Sequence, residues 1–440
     1  MASAAAQRWR YVAYGLLGMP LAMAALPVYL QVPTYYTTHL GLAIGSTGWV
    51  LFLTRLVDTV QDPWLGRCID RLSGVRLQLW MIAGALLLGL SFCGLWLPPV
   101  WWRGNSTGLL GWLGLMLLLV YLAHSMLNIA YLSWGARLSG QTQGLLGASA
   151  SREAAGLVGA IVASVTPSVI MAGAATVEWQ LTVYAGGFAI VLGLAVVALL
   201  GFAPPWNRAV ADPLQTSELA QQAGWAESMA ALSANHAFRR LLLPYFLNAI
   251  SVAIPATLAL FFINDHLQAA AQSGVLLAVY FLSTAIGLPC WVIAARRLGV
   301  LRAWRLGMLL AILAFSGTIF LQAGDVLLYG VICVAAGLAL GADLALPPVL
   351  LAGIIEGDTR TAAYYGVWTL LAKLALAVSG LALPLLALLG YQPGMTGNSA
   401  LAWVYAVLPC GFKLLALLLS ASLRETQSAP LADSQPQSLP

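Results

Sequence analysis

The stretch LTRLVDTVQDPWLGR carries three charged side chains, Arg55, Asp58 and Asp62, inside an otherwise apolar run. Their spacing of three and then four residues places them on one face of a helix, over two turns. Two carboxylates one turn apart repel when both are ionised, and Arg55 offsets only part of that repulsion, so the pair is expected to attract a cation or retain a proton. The alternative is a packing salt bridge between Arg55 and Asp58, which leaves Asp62 near one mouth of the span.

A lysine deep in another apolar run, Lys373 in YYGVWTLLAKL, also requires an explanation. Its ammonium lies too far along the run to reach water easily, so it needs a buried acidic partner. One candidate is Asp343 of the preceding run. Lys413, the only other lysine of the chain, is expected to extend its ammonium to the membrane surface.

A third run is locally polar: YLAHSMLNIAYLSWG contains His124, Ser125, Asn128, Tyr131 and Trp134. Ser125 and Asn128 lie one helical turn apart, and both can reach the interior of a bundle. Such residues either bind a ligand or form hydrogen bonds between helices, worth roughly 0.6 kcal/mol each. His124 is expected to be a packed, hydrogen-bonded residue.

The elements that position these residues are helices in lipid. Of the 440 residues, 61% are hydrophobic and 8% are charged, whereas about 25% are charged in a typical soluble domain. Continuously apolar runs of about 20 residues, the length that crosses a bilayer as a helix, recur from end to end and lack the alternation of a membrane barrel. The predicted spans are 11–36, 44–66, 79–99, 108–133, 147–175, 181–203, 239–263, 274–295, 303–322, 325–351, 362–388 and 399–421.

The distribution of arginine indicates how these spans are oriented. With twelve spans, nearly all the arginines fall on the side of the two termini, and the opposite loops contain Arg103 alone. Because cytoplasmic loops are enriched in positive charge, we expect a multi-pass protein of the cell inner membrane with both termini in the cytoplasm. The arginines on the predicted cytoplasmic side are Arg8, Arg10, Arg67, Arg71, Arg76, Arg137, Arg208, Arg239, Arg240, Arg296, Arg297, Arg302, Arg305, Arg360 and Arg424.

The chain is predicted to fold as two bundles. Residues 1–203 form an N-terminal six-helix bundle, 204–238 a cytoplasmic linker, 239–424 a C-terminal six-helix bundle and 425–440 a disordered tail rich in Ser, Pro and Gln. GRCIDRLSGVR follows the second span and ARRLGVLR follows the eighth, which indicates an internal duplication.

Three segments resemble those of the glycoside-pentoside-hexuronide:cation symporters of the major facilitator superfamily: VPTYYTTHLGL, RLVDTVQDPWLGRCIDR and LALAVSGLALPLL. The most specific pattern, RxxDxxxDP, is filled by Arg55, Asp58, Asp62 and Pro63. The resemblance spans nearly the whole chain and implies an all-α polytopic membrane protein with twelve transmembrane helices in two six-helix bundles. It also implies that Asp58 and Asp62 bind the coupling ion, Na⁺, Li⁺ or H⁺, with no other cofactor.

The same resemblance implies roles for further residues. Ser125 and Asn128 match positions that bind the cation and the sugar, and Arg152 matches a sugar-contacting arginine. The alternative for Arg152 is a charge pair with its neighbour Glu153. Tyr131 and Trp134 are expected to line the substrate cavity.

Resemblance also suggests how the two bundles are coupled. Lys373 is expected to face Asp58 or Asp62 and to contribute to the substrate site, so that it ties the two bundles together. Arg55 is assigned the same coupling role as Lys373. Asp70 and Arg71, in the loop after the second span, match the gating motif of major facilitators, although charges there also mark topology.

The chain departs from the sugar transporters of this family at two positions, where Ala22 and Asn128 replace substrate-binding aspartates. The prediction is a cation-coupled symporter of a small solute, acting by alternating access in the lipid bilayer, and the family resemblance places a sugar or glycoside first. A transporter of a lysolipid or other amphiphilic or anionic solute is one alternative, and a non-transporting receptor or assembly factor is another. Enzyme motifs, repeated pore sequences and basic stripes for nucleic acid are absent from the sequence.

Overall fold

The computed structural model describes residues 4–70, 72, 74–102, 104–137, 142–171, 176–203, 232–355 and 361–423, and in these ranges the chain forms helices and no strands. The helices are α1 (Ala4–Gly15), α2 (Gly18–Thr34), α3 (Ile44–Asp70), α4 (Val75–Trp96), α5 (Ser106–Arg137), α6 (Thr142–Met171), α7 (Val177–Phe202), α8 (His236–Phe261), α9 (Ser273–Leu298), α10 (Val300–Gly317), α11 (Val326–Ile354), α12 (Thr361–Ser379), α13 (Ala382–Leu388) and α14 (Ser399–Ser420). We call α1–α7 the first half and α8–α14 the second half.

Ten helical segments in the described ranges are long and apolar enough to cross a membrane. Two more of the predicted spans correspond to α3 and α6, which are 27 and 30 residues long. In α3 the charged residues lower the hydropathy, and many side chains of α6 lie outside the described residues. The structure is thus compatible with twelve spans, of which α1 with α2 form the first and α12 with α13 the eleventh.

The apolar core shows where the two halves meet. We call the end of the bundle near Arg67, Arg76 and Arg297 the arginine-rich end, and the other the arginine-poor end. One core cluster contains the first half and the arginine-poor part of the second half, for example Leu258 and Leu383. Among the described residues, the arginine-rich part of the second half forms a separate cluster. The halves therefore share one core at the arginine-poor end.

Glycine allows the closest approach between the halves. A Cβ on Gly48 of α3 would lie 2.8 Å from Leu383 Cβ and 2.9 Å from the Gly380 carbonyl oxygen, closer than real atoms pack. Gly380 lies between α12 and α13, and a Cβ there would lie 3.2 Å from the Phe52 nitrogen. The predicted eleventh span is therefore broken at the point where α3 crosses it.

The first span of each half ends in a π-helical turn, Tyr35–His39 after α2 and Phe262–His266 after α8. The Tyr36 hydroxyl donates to the Leu95 carbonyl at 2.8 Å, and His266 Nε2 lies 2.9 Å from the Leu321 carbonyl oxygen. Each turn is thus fixed to the third span of its own half.

A buried charge cluster lies inside the second half. Asp343 of α11 forms an ion pair with Lys413 of α14, and both side chains are 5% exposed. Asn248 Nδ2 and Trp304 Nε1 each donate to Asp343 Oδ1 at 3.1 Å. Four helices, α8, α10, α11 and α14, therefore converge on one carboxylate.

This cluster corrects two expectations. Lys413 does not extend to the membrane surface, because Asp343 holds its ammonium inside the bundle. Asp343 is also not the partner of Lys373. The sequence could not show this, because the pairing depends on how α11 packs against α14.

We expect Lys413→Met to lower the free energy of unfolding by about 3–5 kcal/mol, since it leaves a buried carboxylate without its counter-charge. The double variant Lys413→Met/Asp343→Asn removes both charges and should recover most of that loss. Denaturant unfolding in detergent micelles measures both, and equal stability of the single variant and wild type would contradict the assignment.

Candidate functional site

Lys373 of α12 connects the two halves of the chain. Its ammonium Nζ lies 3.0 Å from Asp58 Oδ2 and 2.6 Å from Asp62 Oδ2, both on α3. It also donates to Ser125 Oγ of α5 at 3.2 Å. The side chains of Lys373, Asp58 and Asp62 are 23%, 12% and 22% exposed. A partly accessible cluster of one ammonium and two carboxylates therefore lies at the seam between the halves.

Asp58 is well supplied with hydrogen bonds. Ser125 Oγ donates to its Oδ1 at 3.2 Å, and Gln61 Nε2 donates to the same atom at 2.8 Å. Together with the Lys373 ammonium at Oδ2, these bonds give both oxygens of the carboxylate a donor. Gln61 was not selected from the sequence, although its position three residues after Asp58 on the same helix is a signal that it faces the site.

Asp62 is much less satisfied. Its Oδ1 is buried and has no hydrogen-bond partner among the described residues. Pro63 follows directly and has no N–H to donate to the Thr59 carbonyl oxygen, which loses its usual helical partner. A buried acceptor without a donor costs about 1–3 kcal/mol, and a bound cation or proton at this carboxylate would relieve that cost.

Arg55 lies one turn from Asp58 in a different environment. It is 2% exposed, and among the described residues it has no carboxylate within ion-pair distance. Its Nη1 donates to the Leu376 carbonyl at 2.9 Å and to Ser379 Oγ at 3.2 Å, both on α12. The alternative of a packing salt bridge with Asp58 is therefore wrong, because the guanidinium turns across the seam to the other half.

Two aromatic side chains complete the environment of Arg55. Its Nε donates to the Tyr121 hydroxyl at 3.3 Å, and its Cζ lies 5.1 Å from the ring centroid of Tyr29. Its Nη2 has no partner among the described residues. Tyr121 was missed in the sequence, although it precedes Ser125 by one turn of α5.

The predicted substrate residues of α5 occupy different settings. Asn128 lies one turn beyond Ser125, is half-buried and forms no hydrogen bond to a described residue. Tyr131 is buried, and its hydroxyl donates to the Tyr14 and Gly15 carbonyls at 2.9 and 3.1 Å. Trp134 is buried. The substrate roles of these residues stay predictions.

Arg152 of α6 forms an ion pair with Glu153, with 2.5 Å between Arg152 Nη2 and Glu153 Oε1. This is the charge pair that was the alternative to a sugar contact. Both side chains are more exposed than those of the charged cluster, so this pair does not exclude contact with a solute.

Asp70 is the last residue of α3, and the position of its side chain lies outside what the structure describes. Arg71 lies outside the described residues, so both gating roles stay predictions.

The donor set determines which ions suit the seam. Within the described ranges, no three His, Cys, Asp or Glu side chains gather into a metal site. The two carboxylates and the Ser125 hydroxyl, which contacts Asp58, provide oxygen ligands. Hard cations prefer oxygen ligands. The set therefore fits a monovalent cation or a proton better than a tightly held divalent metal.

A multi-span helical chain whose halves meet at a charged seam has the architecture of a secondary transporter. Over residues 11–423 the chain matches the family described as MFS/sugar transport protein, and it belongs to that family. The narrower relation to the glycoside-pentoside-hexuronide:cation symporters stays a resemblance. No curated protein matches the sequence.

Solved structures support the fold. The chain is similar to the crystal structure of the nucleoside transporter NupG, with 13% identity, a TM-score of 0.70 and coverage of 95% of this chain and 98% of that one. It is also similar to a D-xylose-proton symporter, with 13% identity, a TM-score of 0.69 and coverage of 95% and 97%. A third similar structure is that of a bacterial homolog of the human lysosomal transporter Spinster in an inward-facing and unoccupied conformation. It has 14% identity, a TM-score of 0.66 and coverage of 95% of each chain. At these identities the likeness defines the fold alone.

Proposed function

We propose that the protein is a cation-coupled symporter that moves a small solute by alternating access. The observation that carries this proposal is the contact of Lys373 with both Asp58 and Asp62 across the seam. An ammonium within 3.0 Å of both carboxylates occupies the volume that a coupling ion would take. The solution cation and the ammonium therefore compete for the same oxygens.

This competition links ion binding to movement of the halves. Without an ion, Lys373 of α12 ties the second half to α3 of the first half. A bound Na⁺ or H⁺ weakens that tie, because it neutralises the carboxylates that attract the ammonium. Ion occupancy then shifts the balance between two arrangements of the halves, which is what coupling requires.

The solute we propose is a sugar or glycoside. The family description supports this class. Asn128 is half-buried, has no hydrogen bond to a described residue and lies one turn from Ser125 on α5, which supports a solute site next to the ion. Arg152, Tyr131 and Trp134 complete the proposed set of solute contacts. We further propose that the arginine-rich end faces the cytoplasm, which makes the closed arginine-poor end the outer side of the inner membrane.

Ion-dependent thermal unfolding tests the coupling. For purified protein at fixed ionic strength, sodium or lithium is expected to raise the melting temperature relative to choline, by an amount corresponding to about 2.7 kcal/mol at one hundred times the dissociation constant. Asp58→Asn should remove the effect. If the coupling ion is a proton, the ion-specific effect is replaced by stabilisation at lower pH that the same variant removes. Identical responses of wild type and Asp58→Asn to every ion and pH would contradict the proposal.

A further inference from the structure

Three arginines are concentrated where α9 turns into α10. Arg296 and Arg297 end α9, and Arg302 lies in the first turn of α10. Gly299 alone joins the two helices, and its φ of +89° allows the sharp reversal. All three side chains are exposed. The turn therefore collects three positive charges at one edge of the bundle.

Nothing in the described part of the chain neutralises these charges. None of the three arginines has an ion pair or a side-chain hydrogen bond with a described residue. The sequence from Leu267 to Gly324 contains no aspartate or glutamate. Arg305, one turn further, behaves differently: its guanidinium donates to Ser420 Oγ at 3.1 Å and to the Ser420 carbonyl. Among the described residues, the fold uses this fourth arginine internally and gives the other three no partner.

The surroundings indicate which phase the three arginines face. Ile293 and Leu298 of α9 are 55% and 43% exposed, and Leu306 of α10 is 45% exposed. Exposed aliphatic side chains on spanning helices face lipid tails. Guanidinium groups at the ends of the same helices therefore lie at the depth of the lipid headgroups.

We infer that Arg296, Arg297 and Arg302 form a binding site for the phosphate of an anionic phospholipid. Guanidinium binds phosphate oxygens in paired hydrogen bonds, and the aliphatic flank accepts the acyl chains. The chemistry at the turn fits a lipid better than a soluble anion, because the apolar flank is continuous with the charges. This inference does not rest on the proposed cation coupling.

The test compares lipid binding by purified, detergent-solubilised full-length protein, using native mass spectrometry with added phosphatidylglycerol or phosphatidylcholine. We expect selective retention of phosphatidylglycerol. Arg297→Gln/Arg302→Gln should weaken that retention at least about tenfold, given the contribution of each arginine near an anionic surface. Arg297→Lys/Arg302→Lys keeps the charge but not the paired hydrogen bonds, so it should retain more phosphatidylglycerol than the glutamine variant, which separates loss of charge from loss of fold.

A matched control removes the same number of positive charges elsewhere at the arginine-rich end. Arg67→Gln/Arg76→Gln in the first half should leave phosphatidylglycerol retention within about twofold of wild type. Equal loss in both glutamine double variants would overturn the site, because it would indicate a general charge effect. Equal retention of the two lipids, or displacement of phosphatidylglycerol by millimolar inorganic phosphate, would overturn it as well.

Discussion

Replacing Lys373 by methionine is expected to separate cation binding from transport. The variant removes the ammonium that competes for Asp58 and Asp62. The cation affinity should therefore rise about tenfold or more, which corresponds to about 1.4 kcal/mol of binding free energy. Accumulation of solute driven by the ion gradient should fall to background, because the contact through which ion binding would affect the arrangement of the halves is missing. Isothermal calorimetry with sodium or lithium, and uptake into proteoliposomes, measure the two effects.

Lys373→Arg is the matched control for that experiment. It keeps a positive charge at the seam, so cation affinity should stay near the wild-type value even if the longer side chain slows transport. Unchanged cation affinity in Lys373→Met, with uptake intact, would show that the ammonium does not compete for the ion site.

Replacing Asp62 by asparagine should abolish accumulation of solute against its gradient. Among the described residues, Asp62 Oδ1 is the one carboxylate oxygen of the seam that is buried without a hydrogen-bond donor, so it is the atom with most to gain from a bound cation. The amide cannot carry the negative charge, and the affinity for the ion should fall by at least about a hundredfold, an effect of about 2.8 kcal/mol. Uptake in membrane vesicles with an imposed ion gradient measures this loss.

Asp325→Asn provides the comparison for Asp62→Asn. Asp325 lies in the loop before α11, where its Oδ2 accepts from the Gln322 backbone at 2.8 Å. The control removes one negative charge far from the seam, and transport should continue. Vesicles of the Asp62 variant that still concentrate the solute would refute the ion site.

The sequence was sufficient to predict the apolar helices and the shared face of Asp58 and Asp62. Helical periodicity within one span determines that face, and no information about packing is needed. Resemblance to a family added the expectation that Lys373 meets the pair. The partner of Asp343 could not be predicted, because Asn248, Trp304 and Lys413 come from three other helices.

The breaks in the helices were also beyond sequence reasoning. Gly15 and Gly18 bound the break between α1 and α2, where a Cβ would meet the backbone of Ser151 and Arg152 on α6. Gly380 bounds a break for the same reason, at its crossing with α3. Glycine is common in membrane helices, and only the position of the neighbouring helix shows which glycine interrupts one.

The incomplete hydrogen bonding of Arg55 bears on how easily the arginine-poor end separates. Opening would break the bonds from Nη1 to Leu376 and Ser379, but water would then supply an acceptor to Nη2, which has none in the described structure. A hydrogen bond to a charged group contributes about 1.5–3 kcal/mol, so the gain offsets much of the loss. The new bond to water at Nη2 therefore lowers the polar cost of opening, and the close packing around Gly48 and Gly380 would also have to separate. Two arrangements within a few kcal/mol of each other are what a reversible carrier requires, since either one must be reachable by thermal fluctuation.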